Sequence, residues 1–136
     1  CAYNSERLNS VGMAAKEFPA SQTAAAEALT VIRNCRLKMH DAFDTLLARA
    51  EKGEPFADLE RAQFRQEAAR AVDDCVKVVQ QLLANSGGAA IYNGNRINDL
   101  FQDMLAFRQH AANQPDPGVK NVGAVMFGQP NADTFS

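Results

Sequence analysis

Ala28-Leu29-Thr30-Val31-Ile32-Arg33-Asn34-Cys35-Arg36-Leu37-Lys38-Met39-His40-Asp41-Ala42-Phe43-Asp44-Thr45-Leu46 is the stretch that decides the fold. Its apolar residues Ala28, Ile32, Cys35, Met39, Ala42 and Leu46 follow one another by alternating steps of four and three. That spacing lays one apolar stripe along a helix of about 3.6 residues per turn, the pattern of a bundle seam. Phe43 and Leu47 widen the stripe, while Arg33, Arg36, Lys38 and Arg49 sit mostly off it. The helix should begin near Ser21 or Thr23, both good N-caps, and stop at Gly53 and Pro55.

Downstream the pattern repeats. A second helix is expected from Asp58 to Ser86, with a seam of Ala69, Val72, Val76, Val79 and Leu83, flanked by Cys75 and Leu82. The charge-rich run from Glu60 to Arg70 reads as a solvated outer face, with helix pairs such as Glu67–Arg70 and Asp73–Lys77. Gly87-Gly88 should end this helix. Residues 89–95 continue as helix or form a loop; Asn93-Gly94 signals a turn and Asn95 can cap the next helix. That third helix should cover Arg96 to Asn113, with Ile97, Leu100, Phe101, Met104 and Leu105 on its apolar side and Pro115 and Pro117 closing it. Val119 to Phe127 has the composition of a short helix. So has Tyr3 to Phe18, although Gly12 weakens it and Phe18-Pro19 ends it.

Short loops make neighbouring helices antiparallel. No segment alternates with period two, so no sheet is expected. The expected class is all-α, an antiparallel, up-down bundle. Its organisation is a helix and linker remnant over 1–22, a helical domain over 23–128, and a flexible tail over 129–136.

Composition narrows the function classes. The 136 residues suit one domain, and 46% apolar with 22% charged residues is ordinary for a globular protein. A net charge of −2 gives no general attraction to nucleic acid. No apolar run approaches the ~20 residues that span a bilayer, and no signal-peptide pattern precedes the first helix. Cys1, Cys35 and Cys75 lack the spacing of a disulfide framework or a zinc site. Cys35 and Cys75 read as small buried hydrophobes in a reducing compartment, the cytoplasm. The chain begins at Cys1 rather than Met, which reads as the C-terminal piece of a larger enzyme; a small lipoprotein beginning at its lipidated Cys is the other possibility.

Most chemical motifs are absent from the sequence: no phosphate loop, no dinucleotide fingerprint, no Glu-x-x-His or His-x-x-x-His pair, hence no metal site. His40 sits beside the first seam and reads as structural or solvent-facing. Two spots carry potential chemistry. Ser86-Gly87-Gly88-Ala89-Ala90 would let a backbone or a flat ligand come close, or is a plain helix terminus. Arg108 and His110 lie near the end of an amphipathic helix, where a histidine can act as a general base or simply complement the helix dipole.

These spots, in this order, carry a resemblance. Gln81-Leu82-Leu83-Ala84-Asn85-Ser86-Gly87-Gly88-Ala89-Ala90, then Asn95 to Asp103, then Ala106-Phe107-Arg108-Gln109-His110, resembles the C-terminal domain of acyl-CoA dehydrogenase-like proteins. Within that superfamily it is most similar to the flavin-dependent two-component monooxygenases, which hydroxylate phenols, steroid-derived phenols and thiophenes. The resemblance runs from about Val11 to Gly128. It implies a four-helix bundle that follows two absent domains and builds a tetramer. It also implies reduced FAD or FMN delivered by a flavin reductase, and an aromatic small-molecule substrate. It places His110 as a catalytic group near the flavin, and Ser86, Gly87, Gly88 and Arg108 as cofactor-adjacent.

Two departures from the family pattern stand out. Asp99 and Gln102 occupy positions where the family has arginines, with Arg96 out of register. No Glu occurs from Asp103 to Ser136, where acyl-CoA dehydrogenases in the strict sense often carry their base. That absence favours the monooxygenase branch over a true FAD-dependent dehydrogenase. A non-catalytic helical interaction module, held by self-association of the seams, is the reading from another class.

Overall fold

The structure, a computed structural model, describes Leu8 and residues 12–134. Four α-helices follow in order: α1 (Pro19–Lys52), α2 (Asp58–Ala84), α3 (Arg96–Arg108) and α4 (Pro115–Met126), with short 3-10 segments at Ala15–Glu17, Gly88–Ile91 and Ala111–Asn113. No strand is formed among the described residues; an isolated bridge pairs Leu8 with Ala14. The all-α class read from the sequence therefore holds. Half of the short helix expected over Tyr3 to Phe18 lies outside the described residues; in the described half only the 3-10 segment Ala15–Glu17 is helical.

Helix ends follow local chemistry. α1 begins at Pro19, earlier than the Ser21 or Thr23 start, because proline at the first helical position loses no intrahelical bond. Gly53, at φ 67°, ends it: the Glu54 N–H reaches the Arg49 carbonyl, a bond that needs a left-handed residue between. At the start of α2 the Glu60 carboxylate accepts from the Ala57 N–H at 2.9 Å and from Arg49 at 2.6 Å. The backbone bond first, and then Arg49, hold Glu60 below the usual carboxylate range. Arg49 also stacks 4.3 Å from the centroid of Phe56, which meets Phe64 edge-on. Before α3, Asn95 Oδ1 accepts from the Ile97 N–H, the cap expected of it.

Two expectations need correction. The third helix stops at Arg108, not Asn113, so His110 lies outside it. Pro115 does not merely close that helix; it opens α4, which extends the apolar patch 119–127 backward to residue 115.

The chain forms two compact units. One comprises Cys1–Arg33 with Asp74–Ala106, the other Asn34–Asp73 with Phe107–Ser136. In the first, Ala24 and Ala28 of α1, Val76 and Val78 of α2, Ala90 and Asn98 are buried. In the second, the buried set is Ala62, Arg65, Ala69 and Asp73 of α2 with Pro115, Gly118, Asn121 and Val122 of α4. A Cβ on Gly118 would lie 3.2 Å from the Gln66 Cα, so glycine there lets α4 approach the α2 backbone. Among the described residues no large side chain is fully buried; the interior is built mainly from alanine, valine and a few polar groups.

Candidate functional site

Ser86, Gly87 and Gly88 belong to the first unit. α2 ends at Ala84, and Ser86 Oγ donates back to the Leu82 carbonyl at 2.7 Å, so this hydroxyl finishes the helix. Gly87 adopts φ 75° and ψ 169°, a conformation that requires glycine, before the 3-10 turn Gly88–Ile91. Gly88 is exposed, and a Cβ built on it meets nothing within 4 Å. Glycine at 88 is therefore not demanded by this chain's own packing, and the backbone there lies open to something outside it.

Arg108 and His110 belong to the second unit. Arg108, the last residue of α3, donates from Nε to Asp73 Oδ1 at 2.7 Å. The Asp73 side chain is largely buried, and a buried carboxylate requires such a partner. His110 is exposed and has φ −60°, ψ 134°. It caps the Ala111–Asn113 turn, its Nδ1 accepting from the Ala112 N–H at 3.2 Å. Asn113 closes the same turn by donating its side-chain amide to the Phe107 carbonyl at 2.8 Å.

Further residues of this site were not read from the sequence. Arg65, assigned to the solvated run, is buried and donates from Nη2 to the Ala111 carbonyl at 3.2 Å. Its Nε lies 3.5 Å from Asp133 Oδ2, with side-chain exposures of 6% and 7%. Asp73 pairs with Arg108, and Lys77 lies 3.7 Å from Asp74. The available signal was spacing: Ala62, Arg65, Ala69 and Asp73 step by three, four and four, so both charged residues fall on the apolar stripe. The partner Asp133 sits in the segment expected to be a flexible tail. There Asn121 clasps the chain, donating to Asn131 Oδ1 at 2.9 Å and accepting from the Ala132 N–H at 3.0 Å.

Other features lie apart from these residues. An open groove of about 550 Å3 in the first unit is lined by Ala26, Thr30 and Val31 of α1 and Lys77, Val78 and Gln81 of α2, among others. No group of three or more potential metal ligands occurs among the described residues. Cys35 and Cys75 are half-buried, with Cys35 Sγ 3.9 Å from the Ala71 carbonyl oxygen. His40 is exposed.

Comparison with known proteins decides the lineage. The sequence model of the family described as acyl-CoA dehydrogenase, C-terminal domain, matches residues 2–115. The chain belongs to that family. It is 30% identical over 128 residues to the flavin-dependent monooxygenase oxygenase subunit HsaA of Rhodococcus jostii (strain RHA1), covering 91% of this chain and 32% of that protein. A pigment production hydroxylase of Rhodococcus erythropolis is 26% identical over 113 residues, 83% of this chain and 29% of the hydroxylase. Among solved structures, the 3-HSA hydroxylase from Rhodococcus sp. RHA1 superposes with a TM-score of 0.81 at 27% identity, over 89% of this chain and 31% of that one. The HsaA monooxygenase from M. tuberculosis gives 0.79 at 26%, over 89% and 32%. The chain thus spans about a third of the relatives it matches. No described helix is long and apolar enough to cross a membrane.

Proposed function

We propose that this chain is the C-terminal helical domain of a flavin-dependent monooxygenase that hydroxylates an aromatic small molecule. The supporting observation is His110: it is exposed, yet fixed by a turn that closes just beyond α3. Within the first unit, the residues around Gly88 suit contact with a flat ring system. Gly88 offers open backbone with nothing within 4 Å of a Cβ, Gly87 supplies the turn, and Ser86 ends α2 beside them. Arg108, anchored by Asp73, is the cation adjoining His110. Bound reduced flavin, FAD or FMN, would supply the chemistry that activates O2.

In this reading Gly87 and Gly88 let the flat ring system approach the backbone, with Ser86 beside them. His110 acts on the substrate phenol as a base or as a hydrogen-bond partner close to the flavin. A separate flavin reductase delivers the reduced cofactor, the domain self-associates in a tetramer, and the enzyme works in the cytoplasm.

The test uses the full-length protein with reduced flavin and O2. Oxygenation of a phenol is expected, slowed in His110→Asn by roughly a hundredfold. Unchanged turnover in that variant removes His110 from the chemistry. Reduction of a tightly bound FAD by an acyl-CoA, with no oxygenation, would replace the monooxygenase reading with a dehydrogenase.

A further inference from the structure

We propose that the buried Arg65–Asp133 pair is a positioning device for His110, fixing its turn so that the imidazole presents Nε2–H as a hydrogen-bond donor. The inference deepens the functional reading above and rests on it.

Two residues of α2 grip the chain on either side of His110. Asp73 accepts from Arg108 at 2.7 Å, two residues before the histidine. Arg65 donates to the Ala111 carbonyl at 3.2 Å, one residue after it. Positions 65 and 73 lie about 12 Å apart along the helix axis, at about 1.5 Å per residue, so the grip has two well-separated points. Arg65 is itself held by Asp133 at 3.5 Å, with both side chains more than nine-tenths buried. Asp133 is presented by the Asn121–Asn131–Ala132 clasp. The tail of the chain thereby reaches the turn through one guanidinium.

That fixed turn sets the chemistry of the ring. The Ala112 N–H donates to Nδ1 at 3.2 Å, so Nδ1 carries no proton. In the neutral imidazole the proton is then on Nε2. A ring so arranged donates to an anionic oxygen, such as the phenolate of the substrate; it has no lone pair at Nε2 with which to take a proton. Of the two roles considered for His110, the geometry selects the hydrogen-bond partner over the base. Arg65 and Asp133 touch neither cofactor nor substrate and act only through the turn.

The full-length protein, 15N-labelled at histidine, provides the test, with His110→Gln used to assign the ring signals. The wild type should show a protonated Nε2 and an unprotonated Nδ1. Arg65→Met should mix the two tautomers, and in phenol oxygenation lower kcat by roughly ten- to hundredfold with KM within about twofold. Arg65→Lys should recover part of the loss. His110→Gln, whose amide can donate from the Nε2 position, should retain at least about tenfold more activity than His110→Ala.

A wild-type ring protonated at Nδ1 would overturn the proposal, and so would a folded Arg65→Met variant with the native ring signals. If Arg65→Met fails to fold, Asp133→Asn asks the same question with the guanidinium kept, and native ring signals there count equally against it. If the wild type oxygenates no phenol, the monooxygenase reading fails while the ring signals still decide the positioning claim.

Discussion

α1 and α2 carry seams of the same three-and-four spacing, yet the two are covered differently. On α2 the seam is covered: Ala69 and Val76 are buried, Val72, Val79 and Leu83 are half-buried, and none of its large apolar side chains is exposed. On α1, Leu29, Ile32, Leu37, Met39, Phe43 and Leu47 remain exposed, Leu29 at 70% and Phe43 at 56%. Identical patterning therefore says that a face wants covering, but not whether the cover lies within the chain. The chain spans about a third of the relatives it matches.

Substitutions can break or sharpen this contrast. The largest stability effect is expected where α2's stripe is charged: Arg65→Met should cost about 3 kcal/mol in chemical denaturation, because it strips Asp133 of its buried cation. A loss under about 1 kcal/mol would show that the pair is solvated. Next comes Val76→Ala, at about 2 kcal/mol for a buried side chain. Gly118→Ala should cost about 1–2 kcal/mol, because its methyl group meets the Gln66 backbone. Phe43→Ala should cost less than about 0.5 kcal/mol where the chain stands alone. In an assembly that covers α1 the same change should cost several times more, and equal melting shifts in both settings would argue that this face has no partner.

The smallest effect concerns Glu60. Its lowered pKa means that its bonds to Ala57 and Arg49 add stability above the ordinary Glu value near 4.3 and lose it as pH falls below that. Glu60→Gln should therefore melt slightly earlier than wild type at pH 7, with the two curves converging in acid.

The sequence carried the class and most element ends, because apolar spacing, prolines and capping residues act locally. Asn95 and Gly53 do in the structure what their chemistry predicts. What escaped was long-range polar pairing. Arg65 and Asp73 looked solvated because their sequence neighbours are charged, and only their place on the stripe marked them as inside. The break after Arg108 was missed for a related reason. The stretch from Arg96 to Asn113 contains no glycine or proline, and the turn is made by side-chain bonds from His110 and Asn113 and by a guanidinium from α2. The assignment of His110, Gly87 and Gly88 to chemistry came through resemblance to the family, since no spacing rule singles them out.

The Arg65–Asp133 pair also sets an order of events during synthesis. Arg65 leaves the ribosome well before its carboxylate partner, which follows it by more than sixty residues. Until then a guanidinium destined for the interior has no counter-charge from the tail, and the turn at Ala111 lacks its settled hold. The turn carrying His110 therefore matures only after Asp133 has been made, and a ribosome-stalled chain ending before Asp133 should hold its helices while His110 is still unset.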